Sequence, residues 1–382
     1  MRHLVWILFC STIFFACSSE NDSQTKTFDI VPGDIPNEGI LYVNHEEQGR
    51  SGHGGNSITE CTNGHIISFY SNVSRDSWDG HGVGGWSEYR KSMDGGKTWS
   101  EPYILEYSKK AWEGDEVHSA LVTSINTAPN GTLIAVLARF GNDRWQRIKP
   151  PVYLLSYDNG ETWTEPRDFD SDATIPDIAY TKDAAFVFDE EVFIVFHGSS
   201  DYPYSLYVSA DNGESFQKRS NLPFTLGRYY STCSVLDNGE IIVYIYESEN
   251  QEYDLPYVIS RDKGHTWSEI KTSHFSKRIR NPQMSDKIGD YYFLHGRSGM
   301  EGQGHGHLVL YWSEDGINWS EGVFLNTSGR RRDSYSANEV IGKYDESSPK
   351  RLLIQSSILY DTLGAVNIRH WWIENIRDSN SR

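Results

Sequence analysis

The sequence predicts an all-β protein, a six-bladed β-propeller whose blades are four-stranded antiparallel sheets. The 382 residues are 13% aromatic and include 33 Gly but only 4 Met, a composition typical of a turn-rich β protein rather than a helical one. One short turn also recurs five times along the chain, with spacings between successive starts of 64, 53, 51 and 53 residues. A repeat of roughly 50 residues is typical of a radial array of similar units.

The repeated turn has the pattern Ser-x-Asp-x-Gly-x-Thr/Ser-Trp or a near variant of it. The copies are SMDGGKTW at 92, SYDNGETW at 156, SADNGESF at 209, SRDKGHTW at 260 and the shorter SEDGINW at 313. The Asp accepts backbone N–H bonds, the Gly adopts a positive φ, and the Ser or Thr closes a local hydrogen bond. The Trp is expected to fill the space between neighbouring units.

Each unit reads as four short strands, with this turn between the third and the fourth. The second strands are the apolar runs HIISFYSN, TLIAVLARF, VFIVFHG, EIIVYIYE, YYFLHGR and RLLIQSS, which makes six blades. The sixth blade carries no such turn. We expect the early strand at residues 39–44 to pair with the sixth blade and close the ring, which removes a free sheet edge.

From about residue 40 to the C-terminus, the five turns resemble those of the Asp-box β-propellers, the superfamily of sialidases and their relatives. Within that resemblance, Tyr335 in DSYSAN looks like the nucleophilic tyrosine of sialidases, and Arg297 in FLHGRS looks like one arginine of their carboxylate-binding triad. The Arg-Ile-Pro motif of that superfamily is absent, because the matching stretch reads GHGGNSITE, and no activating Glu is evident. The sialidase pattern is therefore only partly present.

The N-terminus has the pattern of an export signal. Arg2 and His3 precede an apolar run that is too short to span a bilayer, and Cys17 follows a small residue as in a bacterial lipoprotein cleavage site. We expect a signal peptide at 1–16, a lipidated Cys17 opening a tether at 17–38, and one catalytic propeller at 39–377. The resulting location is the cell envelope, with the membrane contacted only through the lipid anchor. An ordinary secretory signal is the alternative. Cys61 and Cys233 are expected to be buried free thiols.

The net charge of −18 argues against nucleic acid as a partner, since binding to phosphates needs a basic surface. An anionic substrate remains compatible with this charge if arginines gather in one pocket. No cofactor is indicated. His305 and His307 have the spacing of two metal ligands, but no third ligand is in register, so no metal site is predicted.

The turns between first and second strands, such as TNG at 62–64, PNG at 129–131 and DNG at 237–239, fall on the same face of the disc as the repeated turns. The candidate site therefore lies on the opposite face, where first strands begin and second strands end. The residues expected there as catalytic groups are His53, His118, Tyr229, Tyr230 and Tyr335. Those expected to bind substrate are Asn56, Arg139, His197, Arg228, Arg280, Gln283, His295 and Arg297. Arginines gathered at one mouth favour a carboxylate or sulfate ligand, which indicates an acidic sugar.

The residue types also resemble those of propeller-fold ulvan lyases, rhamnosyl-glucuronate lyases and ulvan oligosaccharide dehydratases. The resemblance implies β-elimination on a uronic acid, giving a C4–C5 unsaturated product. In that scheme His53 or His118 is the base, Tyr229 or Tyr230 is the acid or its partner, and arginines hold the carboxylate. Two alternatives stay open: an exo-sialidase-like glycoside hydrolase and a non-catalytic glycan-binding lipoprotein. Trp78, Trp86, Trp112 and Trp145, in or near the site loops, suit either an enzyme or a binder.

Overall fold

The computed structural model describes residues 27–31, 39–75, 84–141, 147–169, 181, 183–197, 202–224, 230–246, 253–299, 306–326, 333–345, 347–361 and 365–377. The described strands form six antiparallel sheets arranged as the six blades of a propeller. The predicted fold class is confirmed.

The blades are numbered in chain order. Blade 1 contains Arg50–Ser51, Ser57–Glu60, Ile66–Ser74, Gly85–Ser92 and Tyr103–Ile104; blade 2 contains Ser119–Thr127, Leu133–Phe140, Arg147–Ser156 and Arg167–Asp168; blade 3 contains Ala185–Phe188, Glu191–Phe196, Ser205–Ser209 and Gln217–Asn221. Blade 4 contains Ser231–Val235, Ile241–Ile245, Asp254–Ser260 and Lys271–His274; blade 5 contains Arg280–Met284, Tyr292–Gly299, Gly306–Ser313 and Val323–Phe324; blade 6 contains Asp333–Ile341, Arg351–Leu359 and Val366–Glu374. A short 3-10 helix, Glu46–Gln48, precedes blade 1, and an α-helix, Glu106–Glu113, connects blades 1 and 2.

The first strand of each blade lies innermost and contacts the first strands of its two neighbours, so the ring is closed. Blade 6 is completed from the N-terminal side of the chain, because Ile40–Val43 pairs with Val366–Glu374 as expected. A second early strand, Asp29–Val31, also pairs with Val366–Glu374. The sheet therefore includes three residues of the range expected to be a tether.

The repeated turns form the hydrogen bonds that their residue types predict. In the turn at 260, the Asp262 carboxylate accepts from Thr266 N at 2.8 Å and from Thr266 Oγ1 at 2.6 Å, and Ser260 Oγ accepts from Gly264 N at 2.7 Å. Gly264 has φ +83°, and a Cβ there would lie 2.2 Å from Leu206 Cδ2 in blade 3. Only glycine fits this approach between blades.

The tryptophans of the turns at 156, 260 and 313 pack against the preceding blade. Trp163 Nε1 lies 3.4 Å from the Tyr89 hydroxyl, and Trp267 Nε1 donates to Ser220 Oγ at 2.9 Å. Trp319 Nε1 lies 3.3 Å from the Tyr244 hydroxyl in the same way. The turns therefore connect neighbouring blades as well as closing their own.

The apolar core is divided among the blade interfaces. The six larger clusters of buried apolar side chains each lie between two neighbouring blades.

Cys61 and Cys233 are buried free thiols, as expected. Burial raises the pKa of the Cys61 thiol to about 12, so it is protonated and unreactive at neutral pH. Within the described part of the chain, no helix has the length and apolar character needed to cross a bilayer.

Candidate functional site

Three first strands are irregular at the face opposite the repeated turns, and each irregularity holds a predicted site residue. In blade 1, the first strand is split into Arg50–Ser51 and Ser57–Glu60, with His53 between the two parts. In blade 5, the register shifts between Arg280 and Gln283. In blade 6, it shifts between Asp333 and Ser336, on either side of Tyr335. Such bulges redirect side chains out of the regular sheet alternation and are common beside active sites.

A pair of tyrosines from blades 4 and 6 lies at the centre of this face. The hydroxyl oxygens of Tyr230 and Tyr335 are 2.8 Å apart, a short phenol–phenol hydrogen bond. The His53 ring packs edge-on to Tyr335 with centroids 5.1 Å apart, and the His197 ring packs edge-on to Tyr230 at 5.3 Å. Side chains from blades 1, 3, 4 and 6 therefore meet at one point.

Guanidinium groups lie on the blade 5 side of the tyrosine pair. Tyr246 stacks on Tyr230 with centroids 6.1 Å apart, and Arg280 Cζ lies 5.9 Å from the Tyr246 ring. Arg280 is directly opposite Arg297 in the sheet. Burial raises the pKa of Tyr246 to about 12, against the opposing effect of Arg280 and Arg297. Arg278 lies near these two arginines. Burial and the positive charges of Arg280 and Arg297 lower the pKa of Arg278.

The tyrosine pair is supported by hydrogen bonds from other blades. Asn56 Nδ2 donates to the Tyr335 carbonyl oxygen at 3.1 Å, and Tyr335 N donates to Ser357 Oγ at 3.2 Å. Ser71 Oγ donates to the His53 carbonyl oxygen at 2.6 Å. Tyr335 itself is 8% exposed, so its position is fixed by packing and by bonds to its backbone.

Two predicted residues of blade 2, His118 and Arg139, lie near each other, but no described contact joins them to the tyrosine pair. His118 Nδ1 donates to the Glu116 carbonyl oxygen at 2.7 Å, and no described residue pairs with its buried Nε2. Burial is the main cause that lowers the pKa of His118, with Lys149 and Arg139 adding to the effect. The imidazole is thus neutral near pH 7, with a lone pair on Nε2. Arg139 Nε donates to the Pro150 carbonyl oxygen at 2.7 Å.

Four of the residues expected to bind substrate are in the interior: Asn56 and His295 are 0% exposed, and His197 and Gln283 are each 2% exposed. His295 is fully buried and lies 3.1 Å from Ser336 Oγ and 3.0 Å from Asn338 Nδ2. The His295 side chain is enclosed by these neighbours, and its contact with substrate stays a prediction. Gln283 is 2% exposed and lines a central cavity of about 500 Å³ together with residues from the other first strands.

Several predictions fall on parts of the chain outside the described residues. They are Cys17, Trp78, Trp145, Arg228, Tyr229 and the side chains of His305 and His307. Among the residues that are described, no group of three or more His, Cys, Asp or Glu side chains has the geometry of a metal site.

The sequence reasoning missed Tyr246 and Arg278. Tyr246 directly follows the second strand of blade 4, at the same topological position as His197 in blade 3. The rule that the ends of second strands build the site selects this position. Arg278 lies before the first strand of blade 5, where charged residues are common and the sequence alone gives no distinguishing signal.

Comparison with known proteins agrees with this architecture. The model of the BNR repeat-like domain matches residues 89–341, which is more than half of the chain. No curated protein sequence matches. Among solved structures, a protein of unknown function from Dyadobacter fermentans is 14% identical with a TM-score of 0.67, covering 88% of this chain and 97% of that one.

Two enzymes with solved structures share the fold. The NanB sialidase from Streptococcus pneumoniae is 12% identical with a TM-score of 0.63, covering 89% of this chain and 70% of its own. The α-L-arabinanase from Penicillium chrysogenum is 12% identical with a TM-score of 0.56, covering 89% and 98%. At these identities the similarity concerns the fold. With the repeated turns, the closed six-bladed ring and the matched domain model together, the chain belongs to the BNR repeat-like domain family.

Proposed function

We propose that this protein is a carbohydrate-active enzyme that cleaves acidic, uronic acid-containing glycans such as ulvan by β-elimination. The observation that carries the proposal is the Tyr230–Tyr335 hydroxyl pair, 2.8 Å apart, with His53 and His197 against its rings and the blade 5 arginines beside it. A base, an acid and a carboxylate-binding group are the parts that this reaction requires.

The reaction is a proton transfer followed by loss of the substituent at C4. A base removes the proton from C5 of the uronic acid, and that electron pair forms the C4=C5 double bond. The bond between C4 and the leaving oxygen breaks. Its electron pair stays on that oxygen, which takes a proton from an acid. Binding of the carboxylate by a cation makes the C5 proton more acidic.

The residues fit these roles by position. His53 packs against Tyr335 and is assigned as the base, while the Tyr230–Tyr335 pair supplies the acid proton and relays it between two hydroxyls. Arg280 and Arg297, opposite each other in blade 5, are assigned to the carboxylate because guanidinium groups bind it through paired hydrogen bonds. His118, neutral and with no partner for its Nε2 among the described residues, is the second candidate for the base.

The test is an assay of the purified protein on ulvan and on glucuronate-containing oligosaccharides, following the absorbance of the C4–C5 unsaturated product. Appearance of that product supports the proposal. Release of a reducing sugar without unsaturation contradicts it and favours a glycoside hydrolase, for which Tyr335 is the nucleophile that its resemblance implies. A sialoglycan tested in parallel distinguishes a sialidase within that alternative.

We also propose that the protein is exported and anchored through a lipid on Cys17. The support is the sequence pattern at 1–17. Metabolic labelling with a radioactive fatty acid tests it: label on the wild-type protein and none on Cys17→Ala agrees with the anchor, and an unlabelled wild type contradicts it.

A further inference from the structure

Trp112 is an aromatic side chain that the described contacts leave unexplained. It lies at the end of the helix Glu106–Glu113, is half-buried, and belongs to none of the apolar clusters between blades. Within the described part of the chain it makes no hydrogen bond and no ring–ring contact. A half-buried indole offers accessible ring surface on which another ring can pack.

The helix places Trp112 at the rim of the candidate site. The His118 backbone N donates to the Ala111 carbonyl oxygen at 3.0 Å, so the helix end is fixed to the start of the first strand of blade 2. Gly85 N donates to Ser119 Oγ at 3.2 Å and ties blade 1 to the same point. Strand starts of this kind belong to the face that carries the tyrosine pair.

A glycine leaves room for one edge of the indole. A Cβ at Gly84 would lie 3.1 Å from Trp112 Cη2 and 3.3 Å from its Cζ2, so a larger residue there would crowd the ring. The neighbouring Trp86 is occupied differently: Lys109 Nζ lies 4.1 Å and Arg50 Cζ lies 5.0 Å from its ring, and its Nε1 donates to Glu88 at 3.0 Å. Of these two rim tryptophans, Trp112 is the one that the described contacts leave open.

We propose that Trp112 is a sugar-stacking subsite, which binds a pyranose ring of the same acidic glycan chain several units away from the reacting uronic acid. The inference rests on the proposed function for the identity of the chain. A pyranose presents polarised C–H groups on one face, and these stack on the negative face of an indole. The subsite makes the protein prefer long chains to short ones.

The experiment measures binding and turnover as a function of chain length. Wild-type protein, Trp112→Ala and Gly84→Val are titrated by calorimetry with glucuronate-containing di-, tetra- and hexasaccharides, and turnover is measured on the same set. Gly84→Val moves the indole without removing it. Tyr157→Ala, an exposed aromatic residue on the opposite face, is the matched control. Circular dichroism verifies that each variant is folded.

The expected result is that the longer oligosaccharides bind about tenfold more weakly to Trp112→Ala, while the disaccharide is unaffected, and that Gly84→Val gives the same pattern. A chain-length preference that persists in both variants overturns the subsite and leaves the proposed function standing. Length-dependent binding that needs Trp112 without any turnover overturns the proposed reaction and keeps the subsite. Absence of binding to every oligosaccharide overturns both.

Discussion

At the scale of single residues, the tyrosine pair is the feature with the most direct chemical consequence. Replacing Tyr335 by Phe removes one hydroxyl and preserves the ring that packs against His53 and Tyr230. We expect kcat on an acidic oligosaccharide to fall by about 10²–10⁴-fold, the usual contribution of general acid–base catalysis, with little change in KM.

The control for this variant is Tyr157→Phe, which removes a hydroxyl from an exposed tyrosine in a repeated turn on the opposite face. Steady-state kinetics on both proteins make the comparison. A similar loss of kcat in the two variants means that the Tyr335 hydroxyl has no particular role in catalysis. It also means that the active site has been assigned to the wrong face of the propeller.

A second prediction at this scale concerns His45, a buried histidine near the start of blade 1. It is 1% exposed, and burial followed by the charge of Arg50 lowers its pKa to about 3. Because the unfolded chain takes up this proton near pH 6.5 and the folded protein does not, stability falls as the pH decreases from about 6.5 towards about 3. The loss between pH 7 and pH 4 is on the order of 3 kcal/mol.

Urea unfolding at pH 7 and at pH 4 measures this effect. His45→Leu should reduce the difference between the two pH values by most of that amount, whereas His265→Leu, at an exposed position in a repeated turn, should not. An unchanged pH dependence in His45→Leu contradicts the assignment.

At the scale of elements, the N-terminal segment that contains Asp29–Val31 connects the last two blades. Phe28, just before Asp29–Val31, is 4% exposed and packs edge-on against Phe293 and Trp312 of blade 5, each with centroids 5.1 Å away. The strand that follows Phe28 pairs with blade 6. The segment therefore connects blade 6 to blade 5 across an apolar interface.

Phe28→Ala should lower the free energy of unfolding by about 3–5 kcal/mol, as for other large-to-small substitutions of a buried aromatic side chain. The measurement is urea denaturation, and Phe28→Leu should recover most of the loss because it refills much of the cavity. A cost below about 1 kcal/mol for the alanine variant means that the segment does not contribute to the core.

At the scale of the whole molecule, the sequence predicted the fold but only part of the site. The five turns combine Asp, Gly and Trp at fixed offsets, and these local rules determine the blade count and the side of the disc on which the turns lie. The same reasoning correctly placed Ile40–Val43 on blade 6. It missed Asp29–Val31, because a three-residue strand in a polar segment has no periodic signal.

The site depends on geometry that local patterns do not encode. The contact between Tyr230 and Tyr335 joins residues 105 positions apart in the chain, across a ring whose diameter follows from packing. The bulges that turn His53, Arg280 and Tyr335 out of the strands are also invisible in the sequence. The complete burial of His295 is likewise set by packing between blades and has no local sequence signal.

The most direct test of the account is a crystal structure of the Tyr335→Phe variant with a glucuronate-containing oligosaccharide bound. We predict that the uronate carboxylate lies against Arg280 and Arg297, with C5 facing His53 and the C4 oxygen facing Tyr230. A sugar bound on the face of the repeated turns, or a carboxylate held away from blade 5, contradicts the assignment of the site and of the reaction built on it.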